Sequence, residues 1–460
     1  MSFVEYRREI PNSNSSHWVG YEYDELSKDE LYYRVYHDEI TNYYNWTYMW
    51  HKLDARYRPE NLQFCFVHFD IKDTKKLNII YGHDAVNKLL CSVCDQIELE
   101  KKAGWVYEAC RCDNDNFSMM IKAMPQEEIV EKLTNMFNSI SVMPDNFSCR
   151  VFYRCGVVIA EDAIRKDERI ADFAKYAQRV GQTFKQHDIN FYTSEMYEKL
   201  IRGGEYLSRL DEALLQDEFT AWFQPKYDIH TEKIVGAEAL VRWNYRHEKM
   251  VPPGEFIPIF EANSVVCKID KFVLKKTCQA LAKIRDLGLP LYTISVNLSR
   301  CCLNNDNLLD EICQIVDSCR IPHDKIEFEL TESAAYSDVG AMFALLAELR
   351  NRGFPVSMDD FGTGYSSLSL LKDMPMDTLK IDKSFVDSIE ASDSDARENT
   401  LVRDIIGMAK HLGFVCLAEG AEHKEQVDFL RTAGCDKIQG YYYSKPVPLE
   451  EYVKMLEAQK

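Results

Sequence analysis

Residues 356–382 read V-S-M-D-D-F-G-T-G-Y-S-S-L-S-L-L-K-D-M-P-M-D-T-L-K-I-D. The stretch holds two short apolar runs, each ending in charge. The first closes on the adjacent carboxylates Asp359 and Asp360, the second on Lys380-Ile381-Asp382. Between them lie a loop with Gly362 and Gly364 and an amphipathic segment, so the stretch reads as strand, loop, helix and strand. Two acids at the C-terminal end of a buried strand, followed by a glycine loop, suit a cation site that can open and close. Taken alone, the same residues also read as a turn with an aspartate capping the next helix.

The neighbouring sequence repeats the pattern. Short apolar runs at 222–227, 234–242, 292–297, 325–330, 355–358, 378–381, 414–418 and 437–438 alternate with helical stretches at 271–287, 308–319, 339–352, 399–412 and 424–433. Eight strands with intervening helices predict an α/β fold of the (β/α)8, TIM-like barrel type. A doubly wound open sheet is the alternative, but no G-x-G-x-x-G follows the first strand. In or just after the runs stand Glu238, Asn297, Glu329 with Glu332, Asp359 with Asp360, Lys380 with Asp382, Glu419 with Glu422, and Gln439. A barrel brings those ends to one mouth. Acids so close repel strongly unless cations sit among them. Hard oxygen donors with one amide and no His or Cys favour Mg²⁺ or Mn²⁺ over zinc, and the number of acids suits two ions.

The first half is patterned differently. Strand-like runs at 62–70, 105–111, 117–121 and 149–160 mix with helical stretches at 85–100, 127–140 and 167–180, which predicts an α+β domain. Residues 1–28 are polar and turn-rich and read as an arm. Residues 190–220 are largely helical, with Gly203-Gly204 as a candidate bend. The expected division is arm 1–28, first domain 29–195, helical linker 196–217 and barrel 218–460.

The net charge of −19 disfavours a sequence-independent binder of nucleic-acid polymers, which needs an excess of Lys and Arg. No run approaches the roughly 18 apolar residues of a membrane helix, and the N-terminus lacks a signal-peptide core. A cytoplasmic protein with reduced thiols is therefore expected despite its 15 cysteines. Cys91-x-x-Cys94 with Cys110-x-Cys112 superficially has zinc spacing. Cys91 and Cys94 lie on a helix-period segment, however, which predicts structural thiols there.

The second half closely resembles the EAL family of cyclic-di-GMP phosphodiesterases. F-Q-P-K-Y (223–227), Glu238-Ala239-Leu240 within A-E-A-L-V-R-W, V-N-L-S (296–299), E-L-T-E-S (329–333), D-D-F-G-T-G-Y-S-S-L (359–368), L-K-I-D (379–382), A-E-G-A-E (418–422) and Q-G-Y-Y-Y-S-K-P (439–446) stand in the family's order. Ala421 replaces the usual Val. The resemblance implies a metal set of Glu238, Asn297, Glu329, Asp359, Asp360 and Glu419, with Asp359 bridging two ions. It implies that Glu238, Asp359, Glu419 and Lys380 carry catalysis, with Glu419 metal-associated or a general base. Gln224, Leu240, Arg242, Asp382 and Gln439 would contact substrate, and Glu332 and Glu422 would brace loops. The family further implies a homodimer formed near the loop after the paired aspartates. A non-catalytic cyclic-di-GMP receptor or signalling scaffold is the alternative. Such proteins typically lose barrel acids, and this chain keeps them.

The first half resembles the GGDEF diguanylate cyclase domain through His37-Asp38-Glu39-Ile40-Thr41-Asn42, Asp70, Asn78, Tyr81-Gly82-His83 and Arg179. It departs from the family where the signature should stand, reading Asp113-Asn114-Asp115-Asn116-Phe117. Asn116 replaces a metal-binding acid, Lys72 stands where a second Asp is common, and Asn87 stands where an acid contacts guanine. Gly104 and Tyr107 occupy the positions of the inhibitory Arg-x-x-Asp site. A cyclase fold that no longer makes product is expected.

Overall fold

The computed structural model describes residues 27–54, 63–140, 150–159, 169–180, 187–305, 307–331, 339–361, 368–389 and 397–459. The chain forms two compact units, residues 1–200 and 201–460. Nearly all of the expected arm, together with Glu332 and the loop 362–367, lies outside the described residues. No described helix is long and apolar enough to cross a membrane.

The first unit is a five-stranded sheet of β1 (Phe64–Ile71), β2 (Val106–Asp113), β3 (Asn116–Lys122), β4 (Tyr153–Ile159) and β5 (Asp188–Phe191), in the order β2-β3-β1-β4-β5. β1 pairs antiparallel with β3 and β4 and is buried along its whole length, because helices cover both faces. Its F-C-F-V-H-F-D-I run is continuous rather than alternating for that reason. Against it packs the helix His83–Lys102, whose Val86, Leu89, Leu90, Val93, Cys94 and Ile97 are buried at helical spacing. The Cys91–Cys94 pair is thus helical, as its period predicts. The sequence reading overlooked two elements, the helix Thr74–Tyr81 and β5.

The second unit closes into a barrel. Its strands are β6 (Phe219–Asp228), β7 (Ile234–Tyr245), β8 (Lys249–Val251), β9 (Thr293–Asn297), β10 (Ile326–Thr331), β11 (Val356–Phe361), β12 (Thr378–Ile381), β13 (Val415–Glu419) and β14 (Lys437–Gln439). They run β6-β14-β13-β12-β11-β10-β9-β7, with β6 pairing β7 to complete the ring and β8 hanging on β7. All eight expected runs are strands of that ring. The neighbours from β7 and β9 round to β14 are parallel, whereas β6 runs antiparallel to both β7 and β14. The connection explains this. Asp228 Oδ1 accepts the backbone N–H groups of His230 (3.1 Å) and Thr231 (2.7 Å), folding a turn too short for a parallel crossover.

The helix Ser194–Leu215 passes through Gly203 and Gly204 without a break, so the expected bend is absent. Gly203 is buried in this helix, and a Cβ there would meet Ile259 at 3.5 Å, an ordinary packing contact. Where β6 begins beside the C-terminal end of β7, the fully buried Glu218 accepts Trp243 Nε1–H at 3.0 Å and pairs with Arg209 at 2.5 Å. Glu218→Ala strips partners from a buried indole N–H and a largely buried guanidinium. We expect a loss of about 3 kcal/mol of unfolding free energy, read from chemical denaturation.

Candidate active site

Alternation along the strands places one polar side chain per strand at a common level inside the barrel. Register pairs Gln224 with Glu238, Asn297 with Glu329, and Glu419 with Gln439. Glu238, Glu329, Asp359, Lys380, Gln224 and Gln439 are all buried.

Lys380 stands at the centre. Its Nζ lies 2.6 Å from Glu329 Oε2, 2.6 Å from Glu419 Oε1, 3.0 Å from Asp359 Oδ1 and 3.7 Å from Glu238 Oε2. Asn297 Nδ2 donates to Glu238 Oε1 at 3.2 Å and Gln439 Nε2 to Glu238 Oε2 at 2.7 Å. Gln439 Nε2 also donates to Gln224 Oε1 at 3.1 Å, and Gln224 Nε2 to the Ser444 carbonyl at 3.2 Å. Two carboxylate triads therefore meet at Asp359. Oxygens of Glu238, Glu329 and Asp359 lie within 4.8 Å of one another, as do oxygens of Asp359, Asp360 and Glu419.

Charge is unevenly balanced in this cluster. Burial drives Glu419 well above the ordinary carboxylate range, with Asp359, Glu238 and Glu329 reinforcing it against Lys380. Burial likewise raises Glu238. Asp360 is pushed up to about 6 by burial and by the neighbouring Asp359 and Asp382. Glu329 goes the other way: burial would raise it, but Lys226 and Lys380 together hold it at about 2. Lys380 stays well above the usual lysine value because Asp359, Glu238, Glu329 and Glu419 outweigh its own burial. Carboxylates pushed upward in this way are short of positive charge.

The donor set fits divalent cations. Its ligands are carboxylates with amide oxygens, the hard donors that Mg²⁺ and Mn²⁺ take. Gln439 Oε1 is buried without a hydrogen-bond partner, and Glu419 Oε1 meets Lys380 only as an ion pair outside hydrogen-bonding geometry. Both oxygens have capacity for a cation or its water.

Asn297, Glu329, Asp359, Asp360 and Leu240 line a cavity of about 950 Å³. Arg242 holds its guanidinium 5.6 Å from the Trp222 ring centre and within electrostatic reach of Glu238. Asp382 caps the helix Lys383–Asp387 through Ser384 N–H at 2.9 Å, and Glu422 pairs with Lys383 at 2.8 Å on the rim. Ala421 is fully buried, and a side chain on Gly440 would collide with its backbone.

The sequence reading did not single out Lys226 and Glu327. Lys226 Nζ, fully within the barrel, contacts Glu329 Oε1 (2.8 Å), Ser295 Oγ (2.7 Å) and Glu327 Oε2 (3.4 Å). The available signal was period two: Lys226 follows Gln224 by two residues, and Glu327 precedes Glu329 by two. This second layer props Glu329 from below while Lys380 holds its other oxygen.

A family model described as the EAL domain matches residues 207–446. The chain belongs to the EAL family. A model described as the diguanylate cyclase GGDEF domain matches residues 35–188, so the two domains stand in tandem. Among curated relatives, the Pseudomonas aeruginosa cyclic di-GMP phosphodiesterase NbdA is 28% identical, over 90% of this chain and 52% of its own length. MucR of the same organism, described as a bifunctional diguanylate cyclase and cyclic di-GMP phosphodiesterase, is also 28% identical, over 92% of this chain and 62% of its own. The chain thus spans between about half and two thirds of these relatives. A solved structure of the PaMucR phosphodiesterase in complex with c-di-GMP is 33% identical over 54% of this chain and 99% of that one, with a TM-score of 0.51.

The GGDEF domain carries its own polar cavity, of about 320 Å³, lined by His68, Asp70, Asp113, Asn116, Arg154, Lys175, Gln178 and Arg179. Asp70 pairs across the sheet with Asn116 on one side and Arg154 on the other. Arg154 grips both carboxylate oxygens of Asp70, at 3.0 and 2.5 Å. Lys72 is engaged by Asp188 at 2.5 Å. Asn114 sits at φ 41°, in the left-handed region where a glycine turn is free and asparagine is tolerated. Asn116 donates to Asp113 at 2.7 Å.

Proposed function

We propose that the EAL domain hydrolyses cyclic-di-GMP to linear pGpG with the help of Mg²⁺ or Mn²⁺. The observation that carries this reading is the pair of carboxylate triads joined at Asp359 around a buried lysine. In the reaction, water adds across one phosphate–O3′ bond of the ring. The phosphorus gains an oxygen, the 3′ oxygen leaves and takes a proton, and one 5′ phosphate end results.

Glu238, Asn297, Glu329 and Asp359 would hold one cation, and Asp359, Asp360 and Glu419 a second. Bound there, the ions supply charge neutralisation at the phosphoryl oxygens and a more acidic water. Glu419, in the second triad, would be metal-associated or take a proton from the attacking water. Lys380 fixes the relative positions of four carboxylates and stabilises negative charge in the cavity. Gln224, Leu240, Arg242, Asp382 and Gln439 form the substrate-facing surroundings, with Arg242 offering a planar fork for phosphate oxygens. Glu422 braces the rim. Homodimerisation through the EAL domain in the cytoplasm belongs to the same reading and rests on the family resemblance.

The GGDEF domain is read as inactive and regulatory or structural. Its residues do not fit the cyclase metals: the position facing Asp70 is the neutral Asn116, and Arg154 already engages Asp70 through both oxygens. Incubation of the whole chain with GTP and Mg²⁺ or Mn²⁺ is expected to give no cyclic-di-GMP by nucleotide chromatography. Its appearance would overturn the inactive assignment.

A further inference from the structure

Three cysteines meet beside the cavity of the EAL domain and play no part in the chemistry above. Cys267 opens the helix Cys267–Asp286, and Cys301 and Cys302 lie in the short helix Arg300–Asn304 that follows β9. Cys267 and Cys302 are joined as a disulfide with Cα atoms 5.5 Å apart, a separation such bonds adopt without backbone movement. The expectation of wholly reduced thiols is therefore corrected here: 35 residues of chain separate two sulfurs that folding brings together. Cys301 Sγ lies 3.0 Å from Cys267 Sγ. Cys302 is buried, whereas Cys267 and Cys301 are only partly covered, and Cys301 lines the cavity with Asn297, Glu329 and Asp359.

We propose that Cys267, Cys301 and Cys302 form a thiol–disulfide exchange site that takes a low-molecular-weight disulfide as its oxidant. In the reduced chain, a partly exposed thiolate, Cys267 or Cys301, attacks one sulfur of the external disulfide and expels one thiol. A neighbouring cysteine thiolate then attacks the mixed disulfide and expels the second thiol. Two cysteine sulfurs lose two electrons in total, and the external disulfide gains them and two protons. Cys301, beside the bonded pair, can attack Cys267 and release Cys302, so the bond can move within the trio. Burial, reinforced by Asp270, keeps the Cys301 thiol above its ordinary value, so this exchange quickens as pH rises.

The bond matters for the site because of what it fastens. β9 ends in Asn297, which orients Glu238. From there Leu298 N–H donates to the Glu329 carbonyl at 2.9 Å, and Ser299 N–H to Asp270 Oδ2 at 2.8 Å. The disulfide adds a covalent tie between this loop and the helix carrying Asp270. Its opening leaves the cavity wall at 298–302 held by these hydrogen bonds and by the packing of Leu298 and Cys302 into the barrel core.

The test equilibrates the full chain with reduced or oxidised glutathione, alkylates it and maps its peptides by mass spectrometry. Oxidised glutathione is expected to link the Cys267 peptide to the Cys301-Cys302 peptide, and dithiothreitol to release it. Full alkylation of all three cysteines after oxidation, or glutathione adducts without a link, would overturn the site. So would one equivalent of zinc held by the reduced chain and lost in Cys267→Ser, because the trio would then be a metal site. This mapping does not depend on the proposed activity. The consequence for catalysis does rest on it: reduction is expected to raise KM for cyclic-di-GMP about threefold or more, and Cys267→Ser to abolish that difference. Equal KM values in both states of the wild type would remove the link to the cavity.

Discussion

Glu238→Ala is expected to lower cyclic-di-GMP turnover by on the order of 10³-fold, with loss of measurable Mn²⁺ binding at the barrel. The size follows from the number of groups that depend on this carboxylate. Glu238 belongs to the first triad of oxygens, accepts from Asn297 and Gln439, and lies 3.7 Å from Lys380. Its removal deletes one metal donor and releases two amides that it orients. Loss of its negative charge also eases the upward push on Glu419, so that acid protonates less readily. The measurement is turnover beside calorimetric titration with Mn²⁺, with circular dichroism to establish that the barrel is intact. A folded variant with unchanged turnover would remove Glu238 from the metal set.

Lys380→Met gives the second large effect, with a different signature. A buried ammonium within 3.0 Å of three carboxylates is replaced by a side chain of similar length and no charge. Turnover is expected to fall about 10³-fold, because the ammonium at the centre of the carboxylate cluster no longer stabilises charge on the reacting phosphate. Metal binding should survive, since the same carboxylates lose a competing cation. Glu238→Ala therefore loses both metal and turnover, while Lys380→Met loses turnover alone. Loss of metal in both variants would mean that Lys380 acts by holding the acids in place.

The barrel was legible because its strands are short apolar runs that each end in polar residues, and buried parallel strands read in that way. The site was legible for the same reason. Glu238, Asn297, Glu329, Asp359, Lys380, Glu419 and Gln439 all lie at one level because each stands at a similar height on its strand. Other features depend on contacts that no single segment reveals. The antiparallel β6 follows from the tight turn after Asp228. Lys226 looked like one more residue of an apolar strand, and only closure of the ring brings it under Glu329. In the first domain, Asn116 was visible as a departure from pattern, whereas the hold of Arg154 on Asp70 comes from strand pairing across the sheet. The partnership of Cys267 with Cys302 likewise needs the fold.

Asp359 and Asp360 began as two acids after an apolar run, equally readable as a helix cap. Asp360 now stands in the left-handed region at φ 55°, turned so that one of its oxygens joins those of Asp359 and Glu419. Whether that arrangement turns over substrate is decided most directly by incubating the purified chain with cyclic-di-GMP and Mn²⁺ and separating the nucleotides by chromatography. The account predicts pGpG from the wild-type chain and none after chelation with EDTA. Cyclic-di-GMP recovered intact from a folded, Mn²⁺-loaded chain that binds it would contradict the account and identify a receptor instead.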